Sequence, residues 1–211
     1  IKLHLPLFPE NNGWINSMPS WLKRQNVTGM KWVNVHGDNM KHKLPTVVGT
    51  IILNDPATGI PLAIVDGTLV TALRTGAVAG IMAKYCSRKN SKVLTIVGAG
   101  VQGNTALVMT GLAMPHLEEV RVVDLRPEAV DKLIAHGKER FPKMKFVGVK
   151  DLQTAVTGSD IIICAAHGSS GLFDNINFDK GSTIVGISGG FSSPMLRKKC
   201  DRVIMDYIDC V

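Results

Sequence analysis

The segment from Ser91 to Gly103, SKVLTIVGAGVQG, constrains the fold of this chain more than any other stretch. Val93, Leu94, Ile96 and Val97 form a short, nearly continuous apolar run of the kind that makes a parallel strand buried on both faces. The run breaks at Gly98-Ala99-Gly100-Val101-Gln102-Gly103, and a helix-like pattern follows from Thr105 to Leu112. Strand, GxGxxG and helix in that order predict a dinucleotide-binding unit. Gly98 allows a tight turn, Gly100 lets backbone approach a pyrophosphate, and Gly103 lets the helix sit close on the sheet. The helix N-terminus offers unpaired N–H groups and partial positive charge to phosphate.

A glycine turn after a strand is common, so the second half of the fingerprint matters. EVRVVD (119–124) reads as the next strand and closes on Asp124, 21 residues after Gly103. A carboxylate there accepts both hydroxyls of an adenosine ribose and favours NAD. Arg126, two residues on, is placed to meet a 2′-phosphate, which keeps NADP open as the alternative.

From Lys92 onward strands and helices alternate. Strands are expected at 93–97, 120–124, 145–148, 160–165, 182–187 and 202–206, and helices at 101–113, 127–140, about 151–157 and near 193–200. Six strands with helical crossovers predict a doubly wound, Rossmann-type α/β sheet of order 3-2-1-4-5-6. Ligands bind such sheets beyond the carboxyl ends of the strands. The loops at 98–103, 165–170 and 188–191 therefore face the cofactor, and His167, just past the fourth strand, is a candidate acid or base.

The first third reads differently. Residues 18–23 suggest a short turn and strand, and Gly29–His36 a strand with Lys31 and Val33 on one face. Val47–Leu53 and Pro61–Val65 form a hairpin around the turn-rich NDPATG. A long helix follows from Leu69 to about Cys86, with Thr68 as its expected N-cap. Its interior is rich in Gly and Ala, so it packs closely on backbone or cofactor. Arg74 there is either a surface cation or an anion anchor. His36, Asp38 and His42 match no standard metal spacing, and no metal is expected.

Composition closes off other classes. At 211 residues with 45% hydrophobic and 19% charged residues the chain is globular. No apolar run is long enough to span a bilayer and no basic-then-apolar leader opens the chain, so a cytoplasmic protein is expected. The four cysteines lack CxxC spacing and read as small core residues in a reducing compartment. The net charge of +7 is spread along the chain without a dense basic block, which argues against nucleic acid and suits anionic cofactors and carboxylates.

With these pieces placed, the chain resembles the ornithine cyclodeaminase/mu-crystallin family. The resemblance is carried by GMKWVNVHGDN (29–39), LPTVVGTIIL (44–53), the run from TGIPLAIVDG to TALRTGA (58–77) and IVGAGVQG (96–103). It implies an NAD(P)-binding Rossmann domain at 91–211, a connecting helix at 68–90, and a partial α+β substrate and dimerisation domain at 1–67. It also implies that a few dozen residues before Ile1, and a segment returning after Val211, lie outside this sequence. Position by position, Lys31 matches the family's active-site lysine, which binds substrate and handles protons, and Arg74 matches an anion anchor where cofactor and substrate meet. Lys2 occupies the slot where relatives use an Arg for the substrate carboxylate. Thr46, Val101, Gln102 and Asp124 match cofactor contacts.

Two positions depart from the pattern. Cyclodeaminases and related alanine dehydrogenases carry a catalytic Asp after the fifth strand, where this chain has Phe191, and a Thr after the fourth, where it has Ala166. Mu-crystallin-like ketimine reductases also lack that Asp. The resemblance therefore implies a homodimeric NAD(P)-dependent oxidoreductase acting on a small amino acid or cyclic imine. An ammonia-releasing ornithine cyclodeaminase and a catalytically silent NAD(P)-binding protein are the alternatives.

Overall fold

Two compact units divide the chain, residues 1–73 and 74–211. The computed structural model describes residues 3–7, 13–167, 170–187 and 193–205. Lys2, Phe191, Asp206 and Cys210 lie outside the described residues.

The first unit is an antiparallel meander of five strands in sequence order: β1 (Leu3–Leu7), β2 (Gly13–Leu22), β3 (Val27–His36), β4 (Val47–Asn54) and β5 (Pro61–Asp66). Directly paired residues share a face. His4, Asn16, Val33 and Gly49 form one cross-strand row, and Met18, Lys31, Ile51 and Val65 form the next. Asn16, Val33, Val35 and Gly49 on this face are buried. On the opposite face Leu3, Leu5, Trp32, Val48 and Ile64 remain exposed, Ile64 to 70%. The β4–β5 turn is shaped by the Asp55 carboxylate, whose Oδ1 accepts from the Ala57 N–H at 2.7 Å, and by Gly59 at φ +75°.

Two local expectations change. The segment at 18–23 is the end of one ten-residue strand, β2, which continues through Pro19. Among the described residues β1 pairs with β2 over residues 13–17, and Pro19 is paired with Met30 of β3. Thr68 begins the helix rather than capping it. Its N–H donates to Asp66 Oδ1 at 3.1 Å, while its hydroxyl accepts from the Gly49 N–H at 3.1 Å. The capping carboxylate is that of Asp66, held below the usual range chiefly by the Thr68 N–H.

The helix α1 (Thr68–Cys86) leads into the second unit. There β6 (Val93–Val97), α2 (Val101–Ala113), β7 (Glu119–Val123), α3 (Pro127–Arg140), β8 (Lys145–Gly148), α4 (Leu152–Val156), β9 (Ile161–Cys164), β10 (Thr183–Gly186) and α5 (Pro194–Lys198) follow in turn. The sheet is parallel in the order β10-β9-β6-β7-β8. Counted from β6, that is the doubly wound order 3-2-1-4-5. The expected sixth strand is absent from 202–205. An edge strand exists only through its ladder, and Val203 and Ile204 are instead each 52% exposed.

Alternation along the strands feeds two cores. Leu94, Ile96, Val120, Val122, Ile161 and Ile163 face one way, against Ala79 and Ala83 of α1, Leu107 of α2 and Leu133 of α3. Val97, Val123, Ile162 and Cys164 face the other way, against Val156 of α4, Phe173 and Leu196 of α5. The buried Thr95 is reconciled with this apolar setting by its hydroxyl, 2.8 Å from the Ala155 carbonyl and 2.6 Å from Ser159 Oγ.

The small residues of α1 serve backbone packing. A Cβ on Gly76 would lie 2.6 Å from the Thr105 carbonyl, and one on Gly80 2.8 Å from the Met109 carbonyl oxygen. The two contacts advance in step, so α1 and α2 run in the same sense. Gly80→Val is expected to cost about 1–3 kcal/mol through overpacking. The check is a urea midpoint that falls while the slope stays unchanged.

Candidate functional site

The elbow between β6 and α2 shows which glycines the fold itself requires. Gly98 adopts φ +97°, and a Cβ there would lie 2.7 Å from the Ala166 N, just past β9. A Cβ on Gly103 would run into the Gly98 carbonyl oxygen. Gly100 differs: a Cβ built on it meets no atom of the described residues within 4 Å. The chain's own packing gives no reason for glycine at 100, whereas a ligand phosphate approaching the backbone does.

Asp124 locks this elbow to the neighbouring strand. Its Oδ2 accepts from the Ala99 N–H at 2.7 Å and its Oδ1 from the Arg126 N–H at 2.9 Å. The Arg126 guanidinium stands 3.5 Å from Oδ1. Burial acts to raise the carboxyl's pKa, but the two N–H bonds and the Arg126 charge outweigh it and hold Asp124 below the usual carboxylate range. The side chain is 13% exposed, so it is not wholly closed off beside the elbow.

A cleft of about 480 Å³ opens here, lined by Gly100, Val101, Asn104, Arg126, Glu128 and Lys132, among others. It receives the N-termini of both α2 and α3, and neither is capped by a side chain. Elsewhere in the unit, Asp151 caps α4 and Ser193 caps α5 through bonds of 2.7 and 3.0 Å. Helix ends are thus closed away from the cleft and left open within it, which suits an anionic ligand. Asn104, Glu128 and Lys132 were missed by motif reading. Their signal was positional, in the first two turns of the helices that follow Gly100 and Asp124.

The expected site residues fall into separate groups. Gly98, Gly100, Val101, Gln102, Gly103 and Asp124 come together at the elbow, with Val101 69% exposed and Gln102 half-buried. Arg74 is an exposed residue of α1. Because Gly76 meets Thr105 and Gly80 meets Met109, Arg74 lies level with the N-terminal turn of α2. Lys31 is half-buried on the β3 face shared with Val33, and Thr46, also half-buried, accepts the His36 N–H at 2.9 Å. His167 is exposed directly after β9, next to the outside-described positions 168–169. Asp38 pairs with Lys41 at 3.0 Å.

The four motif runs and this elbow find their match among known proteins. The model of the ornithine cyclodeaminase/mu-crystallin family aligns with residues 4–195. The chain belongs to this family. The structure of Thermococcus litoralis Delta(1)-pyrroline-2-carboxylate reductase in complex with NADH and L-proline is similar at a TM-score of 0.80, with 31% identity over 89% of this chain and 57% of that one. An archaeal alanine dehydrogenase dimer with bound NAD follows at 0.73, with 32% identity over 87% of this chain and 54% of that one. The N-((2S)-2-amino-2-carboxyethyl)-L-glutamate dehydrogenase of Staphylococcus aureus is 30% identical over 211 residues, 98% of this chain and 63% of that protein. The chain thus spans between about half and two thirds of the length of these relatives. No helix among the described residues is long and apolar enough to cross a membrane.

Replacing Asp124 tests the lock. Asp124→Ala strands the Ala99 N–H and is expected to lower stability by about 1–3 kcal/mol at neutral pH. The folded-state pKa is depressed, so the carboxylate's contribution is complete above the unfolded value and fades as pH falls through the folded one. Thermal unfolding of the protein and the variant should therefore differ at pH 7, and the difference should shrink only as pH falls below the usual carboxylate range.

Proposed function

We propose that this family member is an NAD-dependent oxidoreductase that moves a hydride to or from the α-carbon of a small amino acid or its cyclic imine, in the manner of a ketimine reductase. The observation that carries the reading is the elbow. Gly100 leaves a cradle that a Cβ would fill, two uncapped helix ends open onto it, and Asp124 stands beside it with its side chain 13% exposed. These residues fit a dinucleotide: the N–H groups of the α2 end for the pyrophosphate, Asp124 for the adenosine ribose, Val101 and Gln102 along its edge. Arg126 and Lys132, on the cleft wall, leave room for a 2′-phosphate and hence for NADP as a second cofactor.

When bound, the dinucleotide supplies or accepts a hydride at its nicotinamide ring. The chain's residues bind and orient around that exchange. Lys31 holds the substrate and polarises or protonates near its nitrogen. Arg74, level with the α2 end, anchors negative charge, and Lys2 and Thr46 complete the carboxylate and cofactor contacts. Residues 1–67 serve as the substrate and dimerisation part, 68–90 as the connecting helix and 91–211 as the cofactor domain. The exposed apolar face of the meander, with Trp32, Val48 and Ile64, supports a homodimer.

Phe191, where many relatives have an acid, supports two other outcomes to be tested beside this one. A reductase consumes NADH in step with a cyclic ketimine such as pyrroline-2-carboxylate. A cyclodeaminase releases ammonia from ornithine with no net change in NADH. A silent binder changes NADH fluorescence and turns nothing over. The first pattern is expected, and either of the others would replace this reading.

The cradle has its own test. Gly100→Val is expected to weaken NADH at least about tenfold, roughly 1.4 kcal/mol, while the unfolding temperature stays within error. Gly103→Ala should instead lower the unfolding temperature, because its Cβ meets the Gly98 carbonyl. Unchanged NADH affinity in Gly100→Val would remove the basis of the dinucleotide assignment.

A further inference from the structure

Two rows of residues meet at the cleft beside the elbow. Glu128, Lys132 and His136 recur at every fourth position of α3 and so stand on one side of it. Gly100 and Asn104 are related in the same way at the start of α2, where the Asn104 N–H donates to the Gly100 carbonyl at 3.0 Å. Gly100, Asn104, Glu128 and Lys132 all line the cleft. His136 follows one turn beyond Lys132, and its Nδ1 lies 2.9 Å from the Asn104 Nδ2. That bond ties α2 to α3 at the edge of the cleft.

The bond decides which way round the carboxamide lies. Its nitrogen only donates, so the ring nitrogen accepts and the imidazole carries its proton at Nε2. With the nitrogen turned to α3, the carboxamide oxygen accepts from none of the described residues. Stability is a poor reason for the pair. His136 is exposed and Asn104 half-buried, so their bond adds little to folding, and asparagine inside a helix is a worse helix former than alanine or leucine. What the pair gains is an acceptor of set orientation, one turn on from the glycine that leaves room for a phosphate.

The strand order says which part of a dinucleotide meets that acceptor. β6 has β7 on one side and β9 on the other, and α3 follows β7 and Asp124. The α2–α3 side of the elbow is therefore the Asp124 side, where the adenosine ribose lies in the dinucleotide reading above. A ribose hydroxyl can donate to a carboxamide oxygen, whereas an ionised 2′-phosphate brings only acceptor oxygens and is repelled by it. Local charge does not reverse this. Arg126 and Lys132 are matched by Glu128 and by Asp124, which stands 3.5 Å from the Arg126 guanidinium. We infer that Asn104, aimed by His136, contacts the adenosine ribose and sets a preference for NAD(H) over NADP(H). The inference rests on the dinucleotide reading. Asn104 touches the cofactor, and His136 is a positioning residue.

The experiment titrates NADH and NADPH into the full chain and follows their fluorescence. The parent protein is expected to bind NADH more tightly, by about fivefold or more. Asn104→Ala should weaken NADH about fivefold while NADPH binds as well as before or better, so that the preference disappears. His136→Ala should lose most of the preference. His136→Gln, whose side-chain oxygen can accept from the Asn104 Nδ2, should keep it, a rescue that loss of packing alone does not predict. Retained NADPH binding and an unchanged unfolding temperature show that the variants fold. If the parent binds NADH but does not prefer it to NADPH, or if Asn104→Ala leaves the ratio of the two affinities unchanged, the assignment is overturned and the dinucleotide reading stands. If the parent binds neither dinucleotide, that reading fails and takes this one with it.

Discussion

The second unit depends on three backbone approaches closing together at the end of β6. Gly98 turns at positive φ beneath the chain leaving β9, Gly103 brings α2 against the Gly98 carbonyl, and Asp124 ties the Ala99 N–H to the end of β7. Each needs the others. Without the turn, α2 cannot reach the sheet; without Gly103, the turn is pushed out; without Asp124, a buried N–H loses its acceptor. The result is a rigid corner, and rigidity is what a site built from backbone N–H groups needs. Gly100 stands apart because it contributes nothing to that corner's packing.

The two units use alternation for opposite ends. In the parallel sheet both faces are covered, so Ile161, Ile162 and Ile163 are all buried while pointing to different cores. In the meander one face buries Val33, Val35 and Asn16, while the other presents Trp32 and Ile64 to solvent. A sheet buried on both sides is a scaffold whose chemistry is confined to its strand ends. A sheet buried on one side keeps a second face for contacts beyond itself, and Lys31 lies on the face that buries Asn16 and Val33.

Much of this was legible in the residues. The order of strands and helices from β6 to α5 followed from apolar runs and their spacing, since a buried strand and an amphipathic helix each have one dominant period. The elbow was legible because glycine has few reasons to recur at that spacing. Other features were not. Pro19 reads as a break, yet β2 passes through it, paired with Met30 of β3. Thr68 reads as a cap, yet its hydroxyl is spent on Gly49 and Asp66 takes the role. The run at 202–205 reads as a strand, but strand formation depends on a partner that local sequence does not contain.

By itself the sequence determined the parallel sheet, the glycine elbow, the acid that follows it and the tight seat of α1, since each depends on contacts between near neighbours or on a property of glycine that no other residue shares. Only the tertiary structure decided which glycine is spare, which helix ends stay uncapped, and which polar side chains share a face with Lys31. Those are relations between strands and helices far apart in the chain. Local periodicity carries no record of them, because ladder register and the space left around a Cα are set by what packs from the other side.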